Sequence, residues 1–299
     1  MKVTASNAWL AYAVRAVTRW YWFPQAPRER FARLLFHPGR MAPFPFSVSL
    51  HGIVYDGDFA VYQDWRVFFL GSFERETVNL LTHVLRARPG SAFLDVGANK
   101  GLYSAVMARH CAKVHAFEPF APVAAMMRHL LARNNIGNVV IHDVALGARA
   151  ETRAYYPPGG SNIGVGSFIR SHQADASVKP VELTIMRGDD VLPGDGPPIG
   201  AVKIDIEGFE AFALMGLRAT LVHHRPAVVF EVSMTTALTV KEPAEFAALF
   251  PEGYDFFSVS DHSRARTWRL TPLAVGNLLA SFGNVLACPI ERRINLAPA

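Results

Sequence analysis

The segment that most constrains the fold is Phe93-Leu94-Asp95-Val96-Gly97-Ala98-Asn99-Lys100-Gly101-Leu102-Tyr103-Ser104, an apolar strand that ends on a carboxylate and breaks into a glycine turn. Gly97 and Gly101 let a backbone approach a ligand closely, and Val106 and Met107 beyond them read as the first buried face of a helix. The next strand, 113–117, delivers Glu118 at its end, at the spacing of a carboxylate that grips ribose hydroxyls. A nucleoside-type ligand is therefore expected at this edge. A dinucleotide is disfavoured, because G-x-G-x-x-G needs its middle glycine for the pyrophosphate and its third for helix packing, and Asn99 and Leu102 stand there instead. Asp95, just before the turn, would oppose a pyrophosphate and suits a cationic ligand.

From residue 92 the chain alternates strand and helix, the pattern of a parallel sheet with helices on both faces. Strands are expected at 92–96, 113–117, 139–143, 201–206 and 227–232, with two more at 254–259 and 285–288 around a stretch of no strong pattern. Helices are expected at 74–88, 102–110, 122–134, 209–217 and 243–250. Before this unit lie an aromatic helix in 9–23, a proline-rich passage around a short helix at 28–36, and two extended runs, 46–50 and 61–70, read as a hairpin over the cofactor mouth. This divides the chain into 1–45, a helix and linker; 46–72, a hairpin or cap; and 73–299, the strand-and-helix domain. Within the last, the 145–200 insertion is rich in turn residues.

Carboxylates collect at strand ends. The fourth strand closes as Val202-Lys203-Ile204-Asp205-Ile206-Glu207-Gly208-Phe209-Glu210, and the fifth carries Glu231 after Ala227-Val228-Val229-Phe230. In an open α/β sheet that edge is where ligands bind, and clustered acids there need a cation, a proton or a donor.

The joint pattern resembles the FkbM family of S-adenosylmethionine-dependent methyltransferases. It comprises D-x-G-A-N-x-G, then E-P after the second strand, K-I-D-x-E-G-x-E with a later L-x-G, and Arg225-Pro226 leading to Glu231. Asn162, Gly164 and Ser167 in the insertion and the run from Asn284 to Pro289 also fit; the resemblance covers about 73–289 and leaves the aromatic N-terminus outside. It implies a class I methyltransferase fold, Rossmann-like and α/β, with a seven-stranded, mostly parallel sheet whose last strand is reversed. It also implies O-methylation of a hydroxyl on a sugar, glycan, glycolipid or polyketide-like molecule. By the same resemblance, Asp95, Gly97, Ala98, Asn99 and Gly101 would hold the methionine end of S-adenosylmethionine, Glu118 the ribose, and Asp143, Val144 and Ala145 would lie by the adenine.

A hydroxyl has too high a pKa to attack a sulfonium methyl unaided, so a positioned base or a divalent cation is expected to assist. Asp205, Glu207 and Glu231 are the candidate bases, Asp205 foremost, with His172 of the insertion as the histidine alternative; His142, His223 and His224 rank lower. Glu210 reads as a helix-start carboxylate. A metal is allowed by the three acids but demanded by no His/Asp spacing. The 155–168 loop is expected to exclude water.

Bulk properties narrow the field. The chain has 299 residues, is 51% hydrophobic and carries a net charge of +5, enough for one large domain with an accessory segment. Its basic residues, mostly arginines, are spread along the chain, which does not favour nucleic acid. Cys111 and Cys288 alone, far apart, suggest neither a disulfide framework nor a thiolate zinc site, and fit a cytoplasmic protein. The 9–23 segment is too short and too charged to span a bilayer, so it packs on the domain, forms a dimer or touches a membrane peripherally. Three alternatives stand beside the main reading: an N-methyltransferase of the same fold, a nicotinamide-dependent oxidoreductase, and a non-catalytic protein that keeps the fold. Oligomeric state is not readable.

Overall fold

The structure is a computed structural model that describes residues 7–19, 25–71, 73–157, 166–169, 179–262 and 267–296. Its strands are β1 (Pro45–Leu50), β2 (Ile53–Asp58), β3 (Ala92–Val96), β4 (Lys113–Phe117), β5 (Val139–His142), β6 (Ala145–Leu146), β7 (Glu151–Tyr155), β8 (Val181–Met186), β9 (Ile199–Ile204), β10 (Ala227–Val232), β11 (Tyr254–His262), β12 (Thr267–Leu273) and β13 (Gly283–Pro289). Eight of them form one sheet in the order β12-β11-β13-β10-β9-β3-β4-β5. The five strands from β10 to β5 run parallel, while β13 is antiparallel to both β10 and β11. This is the α/β fold with a reversed last strand that the sequence implied. The sheet has eight strands rather than seven because β12 adds to the free edge of β11. Along β12 Trp268 is buried and Leu270 half-buried, alternating with exposed Arg269 and Thr271, an alternation too short before Pro272 to stand out in the sequence. Within the insertion β6, β8 and β7 make a small separate sheet.

The helices are α1 (Ala8–Thr18), α2 (Gln25–Leu35), α3 (Tyr62–Leu70), α4 (Arg75–Arg86), α5 (Leu102–Met107), α6 (Ala121–Arg133), α7 (Gly188–Val191), α8 (Glu210–Gly216), α9 (Arg218–His224), α10 (Thr236–Thr239) and α11 (Pro243–Ala247). The 61–70 run, expected as an extended strand, is helix α3. Trp65, Phe68 and Phe69 recur at helical spacing on its buried side, and Gly71, at φ +76°, stops it in the left-handed conformation. The hairpin that does form pairs β1 with β2. Past α8, a further helix, α9, begins where Asp189 accepts the N–H groups of Ala219 at 2.7 Å and Thr220 at 2.9 Å.

Strand alternation sorts the core into two layers. On β3, β9 and β10, Leu94, Val202, Ile204, Val228 and Phe230 face α8, α9 and α11, where Leu214, Leu217, Leu221 and Phe246 meet them. Phe93, Ala201 and Val229 face the opposite layer, with Leu81 and Leu85 of α4, Val106 of α5 and Met127 of α6. The same core continues into Phe36, Phe46, Phe59, Trp65, Phe68 and Phe69, so the N-terminal helices share it through α3. Buried rings of this kind each contribute roughly 1.5–3 kcal/mol.

Gly101 starts α5 at φ +81°, and a Cβ there would lie 2.4 Å from Met127 Cγ on α6. Gly101→Ala is expected to lower stability by about 1–3 kcal/mol. Gly137, with open space around its Cα, is the control: Gly137→Ala is expected to stay within about 0.5 kcal/mol. Urea unfolding of both variants checks the pair.

Candidate active site

Two strand-end turns cross at the carboxyl edge of the sheet. After β3, Gly97 and Ala98 both donate their N–H to Phe117 O at 3.0 Å, which folds the turn over the end of β4. After β9, Asp205 N donates to Val96 O at 3.0 Å, which brings the acid-bearing turn against the same place. Gly97 has φ +80°, and a Cβ on it would sit 2.1 Å from Asp205 O. Its lack of a side chain thus serves contact between the two turns as much as contact with a ligand. Asn99 (φ +52°) and Glu207 (φ +54°) occupy the left-handed region, one on each turn.

Register then decides which charges meet. Period-two alternation puts Asp95, Lys203 and Glu231 on one face of three adjacent strands, and Asp95 lies directly opposite Lys203. Lys203 Nζ is 2.8 Å from Asp205 Oδ2 and stands over the Tyr103 ring at 4.4 Å. Burial pulls the Lys203 ammonium down, but Asp205, Glu74 and Asp95 more than reverse this and hold it charged. Asp205, Glu207 and Glu231 gather at this end of the sheet, each offering an oxygen within 4.8 Å of the others. Burial pushes Glu207 up to about 7, helped by the charges of Asp205 and Glu210. Glu231 is pushed up to about 8, by burial first and then by Asp205 and Glu207. Glu210 is fully buried rather than solvated. It accepts N–H groups from Gly208 at 3.0 Å and Ile206 at 3.2 Å, fixing the turn that bears the other acids.

The cavity between the two turns brings together Gly97, Ala98, Asn99, Glu118 and Ala145 with Asp205, Glu207 and Glu231. Each Glu118 oxygen accepts one backbone N–H at 3.0 Å, from Asn99 and from Phe120, which aims the carboxylate at the cavity. Burial raises Glu118 to about 7 against those donors. Other expected residues stand outside the lining. Asp95 lies beneath the floor, where Ser104 Oγ donates to one oxygen at 2.6 Å and the other oxygen has no hydrogen-bond partner among the described residues. Gly101 packs on α6, Val144 packs into the core, and Asp143 is exposed and paired with Arg128 at 2.6 Å. His142 meets His115 at 3.0 Å and stacks on Phe117, away from the acids. His172, Asn162 and Gly164 lie outside the described residues. From the 155–168 loop, Tyr155, Gly166 and Phe168 line the cavity, and Tyr55, Gln63 and Val67 reach it from the hairpin and α3.

Sequence reasoning missed three lining groups: Lys203, Glu74 and Tyr103. The signal for Lys203 was a lone cation inside an apolar strand next to an acid. Glu74 and Tyr103, joined at 2.7 Å, carried no sequence signal.

No curated protein matches the chain. Among solved structures, it is similar to an FkbM methyltransferase from Methylobacillus flagellatus at 16% identity and a TM-score of 0.44, covering 94% of this chain and 59% of that one. It is also similar to a putative O-methyltransferase from Klebsiella pneumoniae (13%, TM-score 0.41, 72% of this chain and 79% of that one). An rRNA methylase from Streptococcus thermophilus matches at 13% and a TM-score of 0.40, over 71% of this chain and 92% of that one. The chain thus spans under two thirds of the Methylobacillus protein. The family model described as the methyltransferase FkbM domain matches residues 95–259, more than half of the sequence. The Gly97 turn, Glu118 and the acid cluster all fall within that span, and the chain belongs to the FkbM methyltransferase family.

Proposed function

We propose that this protein transfers a methyl group from S-adenosylmethionine to a hydroxyl of a small molecule, sugar or glycan, with Glu231 receiving the hydroxyl proton. The observation that carries the reading is the acid cluster of Asp205, Glu207 and Glu231 beside the Gly97 turn. Five carboxylates line this cavity (Glu74, Glu118, Asp205, Glu207 and Glu231) against two lysines, one of which, Lys100, is engaged by Asp64 at 2.8 Å. Such a surface suits a cationic ligand and resists a pyrophosphate, which speaks against a nicotinamide cofactor.

The residues fit S-adenosylmethionine. Glu118, oriented by its two backbone donors, keeps lone pairs free for a ribose diol, and Phe117, Val123 and Leu146 offer apolar contact for a flat base. When bound, S-adenosylmethionine supplies a methyl on a cationic sulfur, and the C–S bond breaks toward sulfur as the acceptor oxygen forms its C–O bond. Glu231 and Glu207, raised toward neutrality, have proton affinities matched to accepting a proton near pH 7–8. Asp205 is less suited to that role than the sequence suggested, because one of its oxygens is engaged by Lys203. It reads instead as the group that keeps Lys203 in place and raises its two neighbours. The three acids are also an oxygen donor set of the kind a hard divalent ion takes, but Lys203 already supplies positive charge there.

Glu231→Gln keeps the shape and removes the base. Labelled methyl transfer into polar and lipid extracts is expected to fall by about 10²–10⁴-fold, with S-adenosylmethionine affinity kept within a few fold. An unimpaired variant would refute the assignment. Because the base must be deprotonated to act, kcat/KM is expected to rise as pH increases through about 8 and then level off. In Glu231→Gln that rising limb is expected to disappear, and its persistence would move the base elsewhere.

A further inference from the structure

We propose that the outward face of α1 and α2 docks on an anionic lipid surface. The polarity of α1 is inverted for a helix at a protein surface. Its one charged residue, Arg15, points inward, 8% exposed, donating to the main-chain carbonyl of Phe68 and lying over the Phe68 ring at 5.0 Å. The outward stripe is apolar: Trp9 is 68% exposed, Tyr12 46% and Val17 55%, at helical spacing. On α2, which packs against α1, Leu34 is 81% exposed and Phe31 40%. Both helices are tied down from behind, by Thr18 Oγ1 to the carbonyl of Phe69 and by Arg28 to Thr18 O at 2.9 Å, so the apolar face is held outward. A contiguous exposed patch of large apolar groups marks an interaction surface.

Charge selects the occupant. The arginines are spread along the chain but the acids are not. Residues 1–45 hold seven Lys or Arg against Glu29 alone, a net +6, while the whole chain is +5 and the remaining residues are therefore at −1. Arg30 and Arg40 are exposed, and Arg30 stands one residue from Phe31 on the same outward side of α2. Trp and Tyr beside arginine is the composition of a bilayer interface, and a cation near an anionic leaflet is drawn to it. A second copy of this face would set the exposed Arg30 against like charge. No helix among the described residues is long and apolar enough to cross a membrane, so the contact would be peripheral. Helix α3 lies between this face and the cavity, presenting Phe68 and Phe69 to the former and Val67 to the latter. Docking would therefore hold the cavity one helix from the lipid surface.

Co-sedimentation of the full chain with vesicles tests this independently of methyl transfer. Vesicles of phosphatidylcholine mixed with phosphatidylglycerol are expected to bind the protein, vesicles of phosphatidylcholine alone much less, and binding is expected to weaken as salt rises. A W9S/L34S double variant is expected to lose about tenfold in binding with an unchanged melting temperature, and R30E/R40E to bind less tightly. The proposal is overturned if the anionic vesicles do not bind, or if W9S/L34S binds them as well as the parent. It is equally overturned if sedimentation velocity finds a dimer that W9S/L34S dissolves, which would make the face a self-interface.

Discussion

A buried lysine is the interaction on which the site depends. Lys203 sits inside an apolar strand, yet burial does not discharge it, because Asp205 touches it and Asp95 and Glu74 lie close. In return, its ammonium lets four carboxylates share one end of the sheet, where their mutual repulsion in a low-dielectric setting would otherwise be severe. Burial first, and then the charge of Asp205 and the neighbouring acids, raises Glu207 and Glu231 toward neutrality. The same contact network therefore holds the fold at its central edge and tunes the proton affinity of both carboxylates.

How much of this was legible in the sequence follows from the range of the physics involved. Strands β3, β4, β9 and β10 were readable because buried parallel strands are near-continuous apolar runs. That property misled at 61–70, where Trp65, Val67, Phe68 and Phe69 form an apolar run that a buried helix and a buried strand share. β12 escaped because its apolar alternation, Trp268 and Leu270 between Arg269 and Thr271, is only two residues deep before Pro272. Asp95, Asp205, Glu207 and Glu231 were visible as residues, but the pairing of Asp95 with Lys203 arises only when β3 and β9 become neighbours. So the acids could be found in the sequence while their individual roles could not. Gly101 shows the same limit: its glycine was evident, and its reason, Met127 on α6, is tertiary.

The N-terminal helices extend the argument from site to surroundings. They join the aromatic core of Phe36, Trp65, Phe68 and Phe69, with Trp65 Nε1 donating to Phe36 O at 2.7 Å, and so they buttress the helix that forms one wall of the cavity. Burying the only charge of α1 and exposing its apolar side is an arrangement that folding of this chain alone does not require.

The claim that ties these features together is that the cavity is an acidic site for a cationic cofactor whose binding drives protons off the raised carboxylates. Calorimetric titration with S-adenosylmethionine near pH 7, repeated in buffers of different ionisation heat, measures this directly. The account predicts binding with net proton release, weaker release with the uncharged-sulfur product S-adenosylhomocysteine, and no binding of NAD. Binding of NAD without S-adenosylmethionine, or S-adenosylmethionine binding with no proton released, would contradict it.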